Sequence, residues 1–381
     1  MSTPARNTQT LDAGPRGASN LEAMSALSTG KKGTISFFKA DEGGTAIGSH
    51  TVYDFGGAKQ SVGMVQTWNQ CEKMLLTTED NKESILVMDT ETGAAVNELS
   101  LRRQQKNWKL SVDSITPMMK FEQYRQTPEL SLFGLGDGGK TVFALNHDSR
   151  AGENVEEFVI RADASRKYKS YTFSCHAQTR AGNLVLGRTD GGVALYDAIM
   201  QSENASCVLD GMPGPVTSID VAADGSMIVW TTPEFVFFSR PSEEHWGKGK
   251  KSRKPATLQL QLAPADKAQV LGGGDADDAD AEPAVAMWMP VRFDAGTAKD
   301  QQGVAEREII TYSGHTQVRW GVKEALAAWE ALDADEDGTQ VHKPFCGTAT
   351  AVGGPVFRHV TVKDDLDIVA LEGEIVKSLR F

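Results

Sequence analysis

The sequence predicts an all-β chain folded as a seven-bladed β-propeller, and three observations carry that reading. Residues 183–197, NLVLGRTDGGVALYD, place two strand-forming runs around a Thr-Asp-Gly-Gly turn whose residues tolerate the positive φ of a tight reversal. That hairpin reads as the inner half of one blade, closed by an aromatic-Asp pair. The unit then recurs: seven short apolar runs follow one another at about 40 to 57 residues, with one gap of about 82, near the length of a four-stranded blade. Finally, 37 glycines in 381 residues suit many tight turns better than long helices.

In chain order, residues 1–32 are rich in Ser, Thr, Ala, Gly and Asn and lack strand periodicity, so a flexible amino-terminal arm is expected before a propeller over 33–381. The recurring runs are ISFFK (35–39), ILVMD (85–89), VFALN (142–146), VALYD (193–197), FVFFS (235–239), QVRWG (317–321) and EIVKS (374–378). Each ends in or beside a polar or turn-forming residue. In PVTSIDVAADG (215–225), Val216, Ile219 and Val221 predict an inner strand entering an Asp-Gly turn. The long gap holds a charged insertion at about 241–285, basic at its start and acidic at 272–282, with a TLQLQL strand between the two blocks. It reads as solvated and dispensable for folding. VKEALAAWEAL predicts a helix over 322–332 whose apolar face is Val322, Leu326, Trp329 and either Ala325 or Leu332, packed on its own propeller. A closed ring would bring residues 33–39 beside 367–381, since joining the ends removes exposed sheet edges.

Charge and cysteine use bound the function. A formal charge of −12 disfavours nonspecific binding to nucleic acid or anionic membrane. No apolar run is long enough to span a bilayer and no secretory leader is visible, so a soluble, intracellular protein, of the cytoplasm or alternatively the nucleus, is expected. Cys71, Cys175, Cys207 and Cys346 lie far apart, without the spacing of a zinc or disulfide framework, and are expected to be reduced.

Two motifs imitate chemistry. Gly134 to Thr141 (GLGDGGKT) matches the phosphate-loop pattern, in which glycine-loop amides meet phosphate at a helix N-terminus, with Lys140 on the terminal phosphates and Thr141 on magnesium. The run that follows, VFALN, is strand-like, so a blade hairpin is the stronger reading. Asp333, Asp335 and Asp337 before Gly338 begin a calcium loop, but its twelfth position is Pro344 where a bidentate Glu is needed. A weak calcium turn at Asp333 to Gly338 stays as an alternative to a hydrated acidic turn. No catalytic residue and no cofactor are expected.

Ordered blocks carry a resemblance. KMLLTTEDNKESILVMDTETGAAVNE (73–98), YTFSCHAQTRAGNLVLGRTDGGVALYD (171–197), GPVTSIDVAADGSMIVWTTPEFVFF (214–238), VRFD (291–294), IITYSGHTQVRWGVKEAL (309–326) and residues 367–381 resemble, in that order, the carboxy-terminal domain of the vacuolar import and degradation protein 27 family. The resemblance covers roughly residues 33–381. It implies a WD-repeat-like propeller in a cytoplasmic protein linked to sorting or turnover, with plant relatives connected to growth control. It supplies no catalytic residues. The charged 241–285 stretch is unusual for the family.

These readings converge on a noncatalytic protein-interaction scaffold with a monomeric fold, whose partners are other proteins rather than nucleic acid and which does not insert into membranes. The candidate contacts are the basic block of Lys248, Lys250, Lys251, Arg253 and Lys254, five cations in seven residues on an acidic chain, together with Arg188 and His315 in turns. The alternative is a nucleotide- or calcium-dependent protein using Gly134 to Thr141 or Asp333 to Gly338.

Overall fold

A computed structural model describes residues 8–11, 24–29, 34–39, 46–68, 73–103, 108–109, 111–115, 132–145, 155–161, 171–179, 181–197, 205–209, 213–222, 224–247, 254–270, 288, 291–293, 307–313, 316–334, 346–351, 357–362, 368–372 and 375–379. The chain divides into two compact units, residues 1–173 with 368–380, and residues 174–367 with 381.

The first unit is a series of antiparallel meanders. Strands β1 (Thr8–Leu11), β2 (Met24–Thr29), β3 (Thr34–Lys39) and β4 (Ala46–Thr51) form one sheet in chain order. Two of its strands come from the stretch read in sequence as an arm. β5 (Val62–Trp68), β6 (Lys73–Thr78), β7 (Ser84–Asp89) and β8 (Ala95–Ser100) form the next. A short pair, β9 (Arg102–Arg103) and β10 (Trp108–Lys109), precedes the sheet of β11 (Val112–Ile115), β12 (Leu132–Gly136), β13 (Thr141–Leu145) and β14 (Val155–Arg161).

In the second unit, β15 (Phe173–Gln178), β16 (Leu184–Arg188), β17 (Val193–Tyr196) and β18 (Cys207–Leu209) form another four-stranded meander. β19 (Ser218–Val221), β20 (Ile228–Thr231) and β21 (Val236–Ser239) follow; helix α1 (Glu243–Trp246) comes before their fourth strand, β22 (Thr257–Leu262), and α2 (Pro264–Val270) comes after it. The next meander is β23 (Arg292–Phe293), β24 (Glu308–Ser313), β25 (Thr316–Gly321) and, beyond α3 (Val322–Ala334), β26 (Cys346–Ala351). β26 also runs parallel to β22, pairing Gln261 with Cys346 and Leu262 with Gly347. β27 is Phe357–Val362. The hairpin of β28 (Ile368–Glu372) and β29 (Ile375–Leu379) belongs to the first unit.

The recurring apolar runs are the third strands of these sheets: β3, β7, β13, β17, β21 and β25, with β29 the seventh run. The 183–197 hairpin therefore supplies the middle two strands, β16 and β17, rather than the inner half expected, because β15 pairs ahead of it. Middle strands are buried on both faces. LVLGR and VALY are buried throughout, as are IVWT of β20 and VFFS of β21, so they read as continuous apolar runs rather than alternating ones. In β8 and β15, at the sheet margins, solvent reaches some positions and the pattern is broken.

The cores follow from those strands. In the first unit Leu75, Ile85, Val87, Leu99, Val112, Ile115 and Phe143 pack together, beside a second group around Ile35, Met74, Leu76 and Met88. In the second unit Trp230 stacks on Phe237, ring centroids 5.7 Å apart, among Val193, Leu195, Ile219 and Trp246. A further cluster joins Phe238, Leu260, Ile309, Val318 and Trp320 to Val322, Ala325 and Trp329 of α3. The expectation that α3 packs on its own fold thus holds, and Ala325, fully buried, completes the apolar face.

Within the 241–285 stretch, the described residues 241–247 and 254–270 pack into the fold. Trp246 of α1 is buried and donates from Nε1 to Gly225 O at 3.2 Å, while Leu260 of β22 and Val270 of α2 enter the core. The charge blocks obscured this, because the alternating TLQLQL run between them is the outer strand that covers β21.

Adjacent sheets are sewn together at their turns. The backbone amide entering a first strand donates to the turn between the second and third strands of the preceding sheet: Val112 N to Lys82 O at 2.8 Å, Phe173 N to Gly139 O at 2.7 Å, and Val216 N to Arg188 O at 3.0 Å. These bonds satisfy backbone groups that would otherwise be costly at a packed margin, and they hold each turn in place.

Candidate functional site

The phosphate-loop look-alike is one of these turns. Gly134 to Gly136 end β12, Thr141 begins β13, and Asp137, Gly138 and Gly139 between them all have positive φ, 57°, 70° and 75°. No helix follows. The Asp113 carboxylate accepts from the amides of Gly138 and Gly139 at 2.7 and 3.0 Å, so the donors a phosphate would need are already engaged. In this geometry the motif is the turn of a β-hairpin.

Arg188 is not an open loop contact. It ends β16, is buried, and grips the Asp190 carboxylate with both Nε, at 2.8 Å from Oδ1, and Nη2. A buried guanidinium needs such a partner, and the turn supplies it two residues later. Gly192 leaves room for the pair, since a Cβ there would lie 3.0 Å from Arg188 Nε.

Lys248, Lys250, Lys251, Arg253 and His315 lie outside the described residues, as do Asp335 and Asp337. Lys254 is exposed just ahead of β22. Asp333 falls within the last turn of α3, which places the start of the acidic motif on a helix. Among the described residues, no three His, Cys, Asp or Glu side chains gather as a metal ion would require.

Two groupings carried no sequence motif. The first joins Cys175 and His176 of β15, Asp220 of β19 and Arg292 of β23. Asp220 accepts from Phe293 N at 2.8 Å, and Arg292 donates to Ile219 O at 3.2 Å. Loss of solvent pushes the Cys175 thiol up to about 12; burial, aided by the Arg292 charge, brings His176 down to about 4. Burial raises Asp220 as well, against the pull of Arg292. A thiol held protonated and an imidazole held neutral are poorly suited to nucleophilic or acid-base work near pH 7. Asp220 and Arg292 join the first strands β19 and β23 through their polar contacts.

The second is the loop 52–61 between β4 and β5. Asp54 organises it: Oδ1 accepts from the amides of Gly56 and Ala58 at 2.9 and 2.8 Å, and Oδ2 from Gln60 Nε2 at 2.9 Å. Tyr53 and Phe55, on either side of Asp54, are 50% and 59% exposed, and Tyr53 bridges Lys59. The Tyr-Asp-Phe-Gly-Gly string was the available signal, a turn formed around an Asp with aromatic neighbours.

Comparison with known proteins agrees with this construction. Residues 45–331 match the model of the VID27 C-terminal WD40-like domain. The chain belongs to the VID27 family. Vacuolar import and degradation protein 27 of Saccharomyces cerevisiae is 25% identical over 264 residues, which is 66% of this chain and 30% of the yeast protein. The match therefore spans under a third of that relative's length. Among solved structures, the β-propeller domain of Cps50 (Swd1) from Myceliophteria thermophila superposes with a TM-score of 0.58 at 11% identity, covering 98% of this chain and all of that one. A chain of the mitotic checkpoint complex gives 0.56 at 9% identity, covering 100% and 92%. At such identities the likeness speaks for the fold alone: this VID27-family chain is a β-propeller. No helix among the described residues is long and apolar enough to cross a membrane.

Proposed function

We propose that this VID27-family propeller is a noncatalytic protein-interaction scaffold of the cytoplasm, acting in protein sorting or turnover and needing no cofactor or nucleic acid. The observation that supports it is the family's WD40-like domain itself, built here from buried middle strands whose turns are hydrogen-bonded to neighbouring sheets. Turns fixed in this way present binding groups with little ordering cost on association. The basic block from Lys248 to Lys254 remains a candidate for an acidic partner segment, whereas the Arg188 guanidinium is committed to Asp190.

Crosslinking mass spectrometry of the tagged, full chain in its own cells tests the reading. The expected result is a reproducible set of proteins crosslinked through surface turns. Crosslinks confined to the chain itself, with nucleotide turnover that disappears on Lys140→Ala, would replace the scaffold by an enzyme.

A further inference from the structure

We propose that Tyr53 and Phe55 form a docking site for a short basic segment of a partner protein, an Arg- or Lys-bearing stretch flanked by aliphatic side chains. The proposal deepens the scaffold reading and rests on it. Among the side chains whose burial is described, the large apolar ones that stand exposed are Tyr53, Phe55 and Val96, and the two rings are the most exposed of these. The loop bearing them is not loose. Besides the three bonds to the Asp54 carboxylate, Asp54 N donates to Ala58 O at 2.9 Å, Gly57 N to Asp54 O at 3.0 Å and Gln60 N to Val52 O at 3.0 Å. Val52, Gln60 and Ser61 at its two ends are buried. With Asp54 turned into the loop, the rings beside it are held in solvent on a fixed frame, so a ligand meets a site that is already ordered.

The neighbourhood selects the ligand's charge. Ser61 N donates to Asp80 Oδ2 at 2.6 Å and Glu79 N donates to Ser61 O at 2.8 Å, which brings the β6–β7 turn against the base of the loop. That turn exposes Glu79 and Asp80 and carries Glu83 beside Lys82, while Lys59 stands in the loop itself. Aromatic faces attract guanidinium and ammonium groups, and carboxylates on the adjoining turn steer their approach. An anionic membrane surface, the other usual destination for exposed aromatic rings, would be repelled by the same carboxylates and by the −12 charge of the chain.

The test selects phage-displayed random heptapeptides on the full chain. Binding of the selected peptides is then measured to wild type, to a Tyr53→Ser/Phe55→Ser variant, to Glu79→Gln and to Val96→Ser, an exposed apolar control on β8. Expected are peptides enriched in Arg or Lys next to aliphatic residues. Their affinity should fall about tenfold or more in the double aromatic variant. It should fall about two- to threefold in Glu79→Gln, with a flatter salt dependence, and stay unchanged in Val96→Ser. Thermal unfolding confirms that the variants fold, since the replaced side chains are exposed. Selected peptides that bind the double variant as well as wild type would overturn this site while leaving a scaffold that binds elsewhere. Acidic selected peptides, or wild-type binding to phosphatidylserine vesicles that the double variant loses, would overturn it in favour of a different ligand. Failure to select any peptide would overturn the site and count against the scaffold reading as well.

Discussion

At Gly139 the chain has no room for a side chain: φ is +75° and a Cβ would lie 2.0 Å from Phe173 O, in the seam where Phe173 N donates to Gly139 O. Gly138 next to it has φ +70° and nothing within 4 Å. Gly138→Ala should therefore cost about 1 kcal/mol for backbone strain alone, and Gly139→Ala about 3 kcal/mol or more because the seam must also open. Denaturant unfolding of the two variants checks the difference; equal losses would mean that the seam is soft. His176 gives a second test. Burial and Arg292 lower it from 6.5 to about 4, so between those values the unfolded chain binds the proton more readily and stability falls as pH falls. Asp220, raised from 3.8, acts in the opposite sense: its contribution is lost as pH rises through the shifted value, and Cys175 stays protonated throughout. His176→Gln should remove a loss of about 2 kcal/mol between pH 6.5 and 4, a figure below the full shift because His176 is only half-buried. Unfolding midpoints of wild type and variant across that range measure it. At this scale the sequence was a poor guide. It flagged GLGDGGKT and Arg188 because their side-chain types match binding chemistry, but Asp113 and Asp190, which engage those groups, are distant in sequence or read as turn residues. It passed over Tyr53 and Phe55 because exposure is decided by what the rest of the chain fails to cover.

Elements were legible where both faces are buried. ILVM of β7 and LVLG of β16 needed no alternation to be recognised, only a short apolar run between turn signals. β22 was recognised as a strand but misjudged in importance, because its flanks are charged and every second residue is polar. Its inward face is what matters. Trp329 of α3 donates from Nε1 to Ala256 O at 2.7 Å just ahead of β22, and Arg240 pairs with Glu330 at 2.8 Å on the surface above. The first bond is at a buried side chain and the second between exposed ones, so they should differ in weight. Trp329→Ala is expected to cost about 3–4 kcal/mol, mainly through the cavity, since Ser239 Oγ still donates to Ala256 O at 2.7 Å. Arg240→Ala should cost less than about 1 kcal/mol. Replacing residues 254–270 by a Gly-Ser linker should go further and abolish cooperative unfolding, since β21 loses its partner strand and the core loses Leu260 and Val270. A soluble product with an unchanged transition would return this stretch to the class of ornament.

For the whole molecule, the order of sheets along the chain is legible from the spacing of third strands, but the grouping of those sheets is not, because it depends on contacts between residues hundreds of positions apart. Residues 368–380 are the clearest case. They are separated from residue 173 by the entire second unit, yet they group with residues 1–173. A chain of successive sheets leaves its first and last members with open edges unless the two ends meet, and the closed-ring expectation requires that meeting. Contacts from the tail then belong to the stability of the amino-terminal half rather than to a terminal appendage. Removing residues 371–381 deletes β29 and the end of β28, so the loss should spread through the first unit instead of fraying locally. The expected outcome is a thermal transition lower by roughly 10 °C or more, given that about 1 kcal/mol shifts a chain of this size by a few degrees at most. Hydrogen exchange should also quicken in β3 and β7, far from the cut in sequence. A truncated chain with an unchanged transition and unchanged exchange in those strands would show that the tail is an independent hairpin and that the ends of the propeller do not depend on each other.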